Sequence, residues 1–186
     1  DSSNVVEDVR WLGTNAKVVD TTSWTTIPIG WDFTATGSYF YAVQLDYSGT
    51  TLAIGYIGED SVADESKLLV FKYDSAQNKY VKVFEHVEIG DYGRRLQTTL
   101  DGKYVIVGGL LYPYLDIWEW DEEISTYTRV VHYYLPDSDG IGALGISDPY
   151  NVGYVIIGTK NGWGIIAHYE PDTDEFKVIY LSLIHI

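Results

Sequence analysis

The sequence predicts an all-β protein built from a repeated unit of short antiparallel strands. Of its 186 residues, 15% are aromatic and 18 are glycines, a composition typical of strands joined by tight turns. Apolar and polar residues alternate with a period of two along much of the chain, and no window carries the 3.6-residue apolar stripe of a helix. A sequence pattern that occurs three times indicates the repeat and gives the order of its strands.

The first repeated element is a turn followed by an apolar strand that ends in glycine. Three segments align without gaps, with Gly55, Gly108 and Gly158 in register: "YSGTTLAIGY" (47–56), "LDGKYVIVGG" (100–109) and "YNVGYVIIGT" (150–159). The three glycines are 53 and 50 residues apart. The chain is therefore organised on a period of about 50 residues.

A second element follows each copy of the first, again without gaps. Its copies are "LLVFKYDSAQNKYVKVF" (68–84), "LDIWEWDEEISTYTRVV" (115–131) and "GIIAHYEPDTDEFKVIY" (164–180). They superpose an aromatic residue, the acid after it and a second aromatic seven residues past the first: Tyr73, Asp74 and Tyr80; Trp120, Asp121 and Tyr127; Tyr169, Glu170 and Phe176. The two elements together form one unit with variable loops.

Each unit divides into four strands. In the middle copy we expect strands over 95–100, 104–108, 115–120 and 127–134, with Asp101-Gly102 as the tight turn between the first two. In the second strand, alternation should direct Val105 and Val107 to one neighbouring sheet and Tyr104 and Ile106 to the other.

The turn-strand "DGKYVIVG" and the pair Trp120-Asp121 at the end of the third strand resemble the repeats of WD-repeat-like β-propellers. The segment "YEPDTDEF" is similar to the hairpin between the third and fourth strands of bacterial and archaeal propeller blades. The sequence departs from the strict WD repeat because no Gly-His pair precedes any unit. The resemblance implies that each unit is one four-stranded blade.

We divide the chain into a partial blade and linker (1–42), two blades (43–90 and 91–140) and a third blade truncated at its C-terminal end (141–186). Propellers close with about four to eight blades, so this chain is expected to be an incomplete ring whose partners include the remaining blades of a parent protein. The final "LSLIHI" continues the alternation of a fourth strand. It also resembles a translated sequencing adapter from assembled environmental DNA, in which case His185 is not a biological residue.

Charge and composition exclude several classes of partner. The formal net charge of -15 repels phosphate backbones and argues against nucleic acid. No run of 18 apolar residues occurs, so no membrane span is predicted. With no cysteine, disulfides and thiolate metal sites are absent, and the compartment stays undetermined.

Motifs that would carry chemistry are weak. The G-x-G-x-x-G run from Gly140 to Gly145 is followed by a turn and a strand rather than a helix, so we assign it to the first strand of a blade and not to a nucleotide site. The segment "DSDG" (137–140) matches the start of a calcium-binding loop, but the later acidic ligands of such a loop are missing. No histidine spacing or nucleophile-base pair indicates catalysis. We therefore predict no cofactor, no metal and no catalytic residue.

The loops after the second and fourth strands of every blade emerge on one side, which we call the upper face. They carry the candidate binding residues Glu59, Asp60, Asp64, Glu65, Asp91, Tyr92, Tyr112, Tyr114, Tyr133, Asp137, Asp139 and Trp163. Exposed aromatics and acids fit the anchors and charges of a recognition surface.

The sequence thus predicts a non-catalytic binding or scaffolding module for a protein or glycan. The alternative is part of an enzyme propeller, such as a glycosidase, lyase or quinone-dependent dehydrogenase, whose active site needs further blades. The inner strands offer such an enzyme only Asp46 and the pair Arg94-Arg95.

Overall fold

The computed structural model describes residues 9–10, 17–18, 39–57, 65–135 and 140–183. Its strands are β1 (Val9–Arg10), β2 (Lys17–Val18), β3 (Tyr39–Leu45), β4 (Thr51–Ile57), β5 (Glu65–Asp74), β6 (Lys79–Ile89), β7 (Arg95–Thr98), β8 (Tyr104–Gly108), β9 (Tyr114–Asp121), β10 (Thr126–Tyr134), β11 (Ile141–Asp148), β12 (Val152–Thr159), β13 (Trp163–Glu170) and β14 (Glu175–Leu183). The predicted all-β class is confirmed.

Three four-stranded antiparallel sheets follow one another along the chain. Their strand orders are β3-β4-β5-β6, β7-β8-β9-β10 and β11-β12-β13-β14, so each sheet is a meander whose strands pair in sequence order. β7 contacts both β3 and β11, which places the first strands of the sheets together at one inner edge and makes β6, β10 and β14 the outer strands. β1 and β2 form a separate two-stranded pair.

Alternation along β8 decides how the second sheet packs. Tyr104 and Ile106 join a cluster with residues of the third sheet, whereas Val105 and Val107 join a cluster with residues of the first. All four side chains are fully buried. The predicted division of this strand between two neighbouring sheets is confirmed, and it accounts for a strand with no polar face.

Close backbone approach holds the first and second sheets together at their inner edge. A Cβ on Gly55 of β4 would overlap the carbonyl group of Gly93, and Gly93 itself has a φ of +87°. Only glycine permits both the contact and this backbone conformation. The backbone of the loop before β7 therefore contacts the first sheet directly.

Carboxylates close the turns on the opposite face of the sheets. Asp121 accepts hydrogen bonds from the backbone N–H groups of Glu123 (2.8 Å) and Ile124 (3.3 Å), and Asp74 accepts from those of Ala76 and Gln77 in the same way. Such acids replace missing backbone partners in a tight turn. The acid that follows each repeated aromatic therefore has a local, turn-forming role in the first two sheets.

The third sheet has a face that no described residue covers. Its Tyr154 and Ile156 stand at the positions that Tyr104 and Ile106 occupy in the second sheet, yet Ile156 is 53% exposed. In the second sheet, Tyr104 and Ile106 are buried against the third sheet. The exposed Tyr154 and Ile156 therefore mark the surface on which a further sheet would stack in the same way.

Candidate functional site

The candidate binding residues of the upper face divide between described and undescribed parts of the chain. Glu59, Asp60, Asp64, Asp137 and Asp139 lie outside the described residues. The other seven are described, and the structure separates them into three environments.

Asp91, Tyr92 and Tyr112 are buried, so the expectation that they are exposed is wrong. Asp91 accepts hydrogen bonds from the backbone N–H groups of Leu110 (2.8 Å) and Leu111 (2.6 Å) and thereby fixes the loop between β8 and β9. Tyr92 fills the space between the first and second sheets. Loop residues at this edge serve packing because the sheets meet there.

Tyr133, Trp163 and Glu65 lie apart from one another. The ring of Tyr133 packs against that of Phe176 in the third sheet, with ring centres 5.0 Å apart. Trp163 is partly buried and packs against the core cluster between the second and third sheets. Glu65 is exposed at the start of β5, 3.9 Å from the ammonium group of Lys67. These three residues form no common site.

A polar cluster does form between the outer parts of the first and second sheets, near the upper face. We call it the rim site, and it consists of Tyr112, Tyr114, Asp116, Arg129, His132 and Tyr134. Its centre is the fully buried carboxylate of Asp116 on β9. That carboxylate accepts hydrogen bonds from His132 Nδ1 at 2.6 Å and from the hydroxyl of Tyr112 at 3.1 Å.

Burial makes these partners necessary, since an unpaired carboxylate in the interior is strongly unfavourable. A guanidinium nitrogen of Arg129 lies 3.7 Å from Asp116, and the guanidinium carbon lies 5.4 Å from the centre of the Trp118 ring. Arg129 and His132 are both partly open to solvent. Asp116 therefore fixes two basic side chains whose outer atoms reach the surface.

Aromatic rings complete the rim site. The imidazole of His132 stacks on Tyr114 with ring centres 4.3 Å apart and an interplanar angle of 12°. Tyr134 lies edge-on to Tyr114 at 5.3 Å and is 56% exposed. With Nδ1 bound to Asp116 and one ring face on Tyr114, the Nε2 edge of His132 is held in a fixed direction beside an open tyrosine.

Two buried phenols, Tyr112 of the rim site and Tyr92 beneath it, stay neutral. Burial raises the pKa of Tyr112, and the negative charge of Asp116 raises it further. Burial is the main reason that the pKa of Tyr92 lies well above its ordinary value, and the charge of Asp116 adds to the effect. The hydroxyl of Tyr92 accepts a 2.8 Å hydrogen bond from Trp118 Nε1. Both tyrosines therefore keep their protons at neutral pH and act as hydrogen-bonding supports.

Sequence reasoning named Tyr112 and Tyr114 but missed Asp116, Arg129, His132 and Tyr134. One signal was available: Asp116 takes the position that Leu69 and Ile165 hold in the other two repeats. A charge in place of an apolar core residue calls for partners.

The described residues give little support for a metal site or a nucleotide site. They hold no group of three or more His, Cys, Asp or Glu side chains able to bind a metal ion. The G-x-G-x-x-G run lies before and along β11, with no helix after it, which confirms its assignment to a blade strand. The part of the chain that is described also contains no helix long and apolar enough to cross a membrane.

Comparison with known proteins places the fold. No family model and no curated protein matches the sequence. Among solved structures, the chain is similar to a "putative 6-phosphogluconolactonase" from Bacteroides fragilis, with a TM-score of 0.57 and 17% identity over 80% of this chain and 40% of that one. A protein of the same description from Bacteroides uniformis gives 0.57 and 14% over 92% and 44%.

A third similar structure, a protein from Lactobacillus plantarum, has a TM-score of 0.57 and 16% identity over 90% of this chain and 47% of that one. At these identities the likeness concerns the fold, which is that of a β-propeller. The three sheets are blades of an incomplete propeller, and the chain spans less than half the length of each of these neighbours.

Proposed function

We propose that this chain is the binding part of a propeller and that the rim site receives a protein or glycan partner. The observation that carries the proposal is the buried Asp116, which holds His132 and Arg129 at the surface beside an exposed tyrosine. Fixed polar groups next to an open aromatic ring are the usual elements of a specific recognition surface.

The physical cost of this arrangement supports a role beyond stability. The equivalent position in the first blade holds Leu69 and in the third Ile165, and both blades form without a buried charge there. Replacing a buried ionic group by an apolar one is often neutral or stabilising. The second blade keeps the charge at the place where it orients surface groups.

Binding is tested with a glycan array and by co-purification of the chain with candidate partner proteins. Each glycan or protein that binds is then titrated against the chain. The variant Tyr134→Ala removes the exposed ring, and Tyr150→Ala, on the opposite face and 54% exposed, is its matched control. We expect Tyr134→Ala to weaken binding about tenfold or more and the control to change it less than twofold. Equal affinities for the two variants would place the partner elsewhere.

A hydrolytic propeller is the second candidate. An imidazole whose Nδ1 is bound to a buried carboxylate can act as a general base through Nε2, and two of the similar folds carry the description of a lactone-hydrolysing enzyme. In that case His132 would take a proton from the water that adds to the lactone carbonyl and return it to the ring oxygen as the acyl C–O bond breaks and the ring opens. Hydrolysis of 6-phosphogluconolactone above the spontaneous rate, lost in His132→Gln, would favour this candidate, and no hydrolysis would reject it.

A further inference from the structure

A pair of arginines lies at the inner edge of the propeller, far from the rim site. Arg95 is the first residue of β7 and Arg94 precedes it. β7 is the innermost strand of the second blade and contacts the inner strands β3 and β11 on either side. The pair therefore stands at the upper end of the space that the inner strands border, in a chain with only 12 basic residues against 27 acidic ones.

Arg95 has a structural role. Its Nε donates a 2.6 Å hydrogen bond to the carbonyl of Gly142 in the third blade, and a terminal nitrogen donates to the carbonyl of Arg94 at 3.2 Å. The first bond bridges the second and third blades at their inner edge. The second fixes the backbone from which Arg94 extends.

Arg94 is held in place but is incompletely paired. Its guanidinium carbon lies 4.6 Å from the centre of the Tyr41 ring, and one terminal nitrogen lies 3.4 Å from the carboxylate of Asp91. The same carboxylate already accepts two shorter bonds from backbone N–H groups. The Nε of Arg94 is buried and has no hydrogen-bond partner among the residues that the structure describes.

A buried N–H without an acceptor is unfavourable, and each such group in a native protein calls for an explanation. An oxyanion satisfies a guanidinium better than any neutral acceptor, since the bonds are charge-assisted and often bidentate. The inner strands are also where a propeller can enclose a small ligand rather than a macromolecule.

We propose that Arg94 binds the oxyanion group of a small molecule, a phosphate ester or a carboxylate, at the inner edge beside Tyr41. The side chain of Arg94 is 28% exposed, so on binding its guanidinium turns and the Nε, buried in the free chain, donates to the ligand oxygen. The tyrosine ring supports the guanidinium from one side. Arg95 positions the arginine without touching the ligand. This site is independent of the rim site and of the function proposed for it.

The test is a titration of the full chain with inorganic phosphate and, separately, with acetate at constant ionic strength, followed by the NMR signal of the Arg94 Nε–H group. We expect a saturable shift of this signal and none for Arg95. Phosphate binding more tightly than acetate indicates a phosphorylated ligand, and the reverse order indicates a carboxylate.

Two variants complete the test. Arg94→Gln should weaken binding of the preferred anion about tenfold or more. Lys177→Gln changes the net charge equally on the outer strand β14, where Lys177 is exposed and paired with Glu175, and should change affinity less than twofold. If Arg94→Gln fails to fold, the wild-type Nε–H signal decides alone. The proposal is overturned if neither anion shifts that signal saturably or if Arg94→Gln binds as tightly as the wild type.

Discussion

Truncation of Ile106 measures how strongly the second and third blades are joined. Ile106 is fully buried in the cluster between these blades, whereas its repeat equivalent Ile156 is 53% exposed. Ile→Ala removes three methylene-sized groups, each worth about 0.8 kcal/mol when fully buried, and leaves a cavity that raises the total to about 3 to 4 kcal/mol. For Ile156→Ala, half-burial without a closed cavity gives about 1 kcal/mol.

The assay is equilibrium unfolding in urea, followed by tryptophan fluorescence and far-ultraviolet circular dichroism. Both variants carry the same chemical change at the same position of the repeat, so the difference between their free energies of unfolding isolates the blade interface. If Ile156→Ala lowers the free energy of unfolding as much as Ile106→Ala does, or if Ile106→Ala lowers it by less than about 1 kcal/mol, the two blades are not joined through Ile106.

Three further perturbations test separate features. Tyr92→Phe should lower the free energy of unfolding by about 1 to 3 kcal/mol, because it leaves the buried Trp118 Nε1–H without its acceptor; a loss below about 0.5 kcal/mol would contradict that bond. Gly55→Ala should strongly destabilise the chain because its Cβ meets the Gly93 carbonyl, while Gly145→Ala, with nothing within 4 Å, should still fold as the wild type does; similar thermal midpoints for the two would be inconsistent with the close approach. Burial raises the pKa of Asp46, but hydrogen bonds from its own turn outweigh burial and leave the pKa below 3.8. A depressed carboxyl pKa contributes stability above about pH 4 that is lost as the pH falls through the folded value, so urea unfolding of Asp46→Asn from pH 6 to pH 2 should show a smaller loss than the wild type, and equal losses would count against this role.

Much of the fold could be predicted because the repeat copies its own signals. The alternation from Tyr104 to Val107 shows a strand buried on both sides, and the Asp101-Gly102 pair marks the turn before it, where Gly102 has a φ of +67°. These are local properties of the chain that hold whatever the distant residues do. The same pattern in three copies then defines the stacking of blades.

The rim site could not be predicted because it depends on a break in strand register. β10 pairs regularly with β9 up to Arg129, opposite Trp118, and a bulge at Val130 then places Val131 opposite Ile117 and His132 opposite Asp116. A shift of one residue moves every later side chain to the other face of the sheet. Without the bulge, His132 would point away from Asp116.

Burial of the upper-face residues was missed for a related reason. Tyr92 and Asp91 lie in a polar, glycine-flanked loop, which in sequence is typical of an exposed connection. In the structure that loop lies between two blades, where a phenol ring fills space and a carboxylate binds backbone N–H groups. Sequence position gives the loop, but only the packing of neighbouring blades decides whether its side chains are accessible.

The most direct test of the proposed function is an NMR map of backbone amide shifts, recorded while the glycan or protein identified by the binding screen is added to the labelled chain. The account predicts that the largest shifts cluster at Tyr114, His132 and Tyr134, on β9 and β10. Shifts centred on Tyr150 and the turns of the opposite face would contradict it.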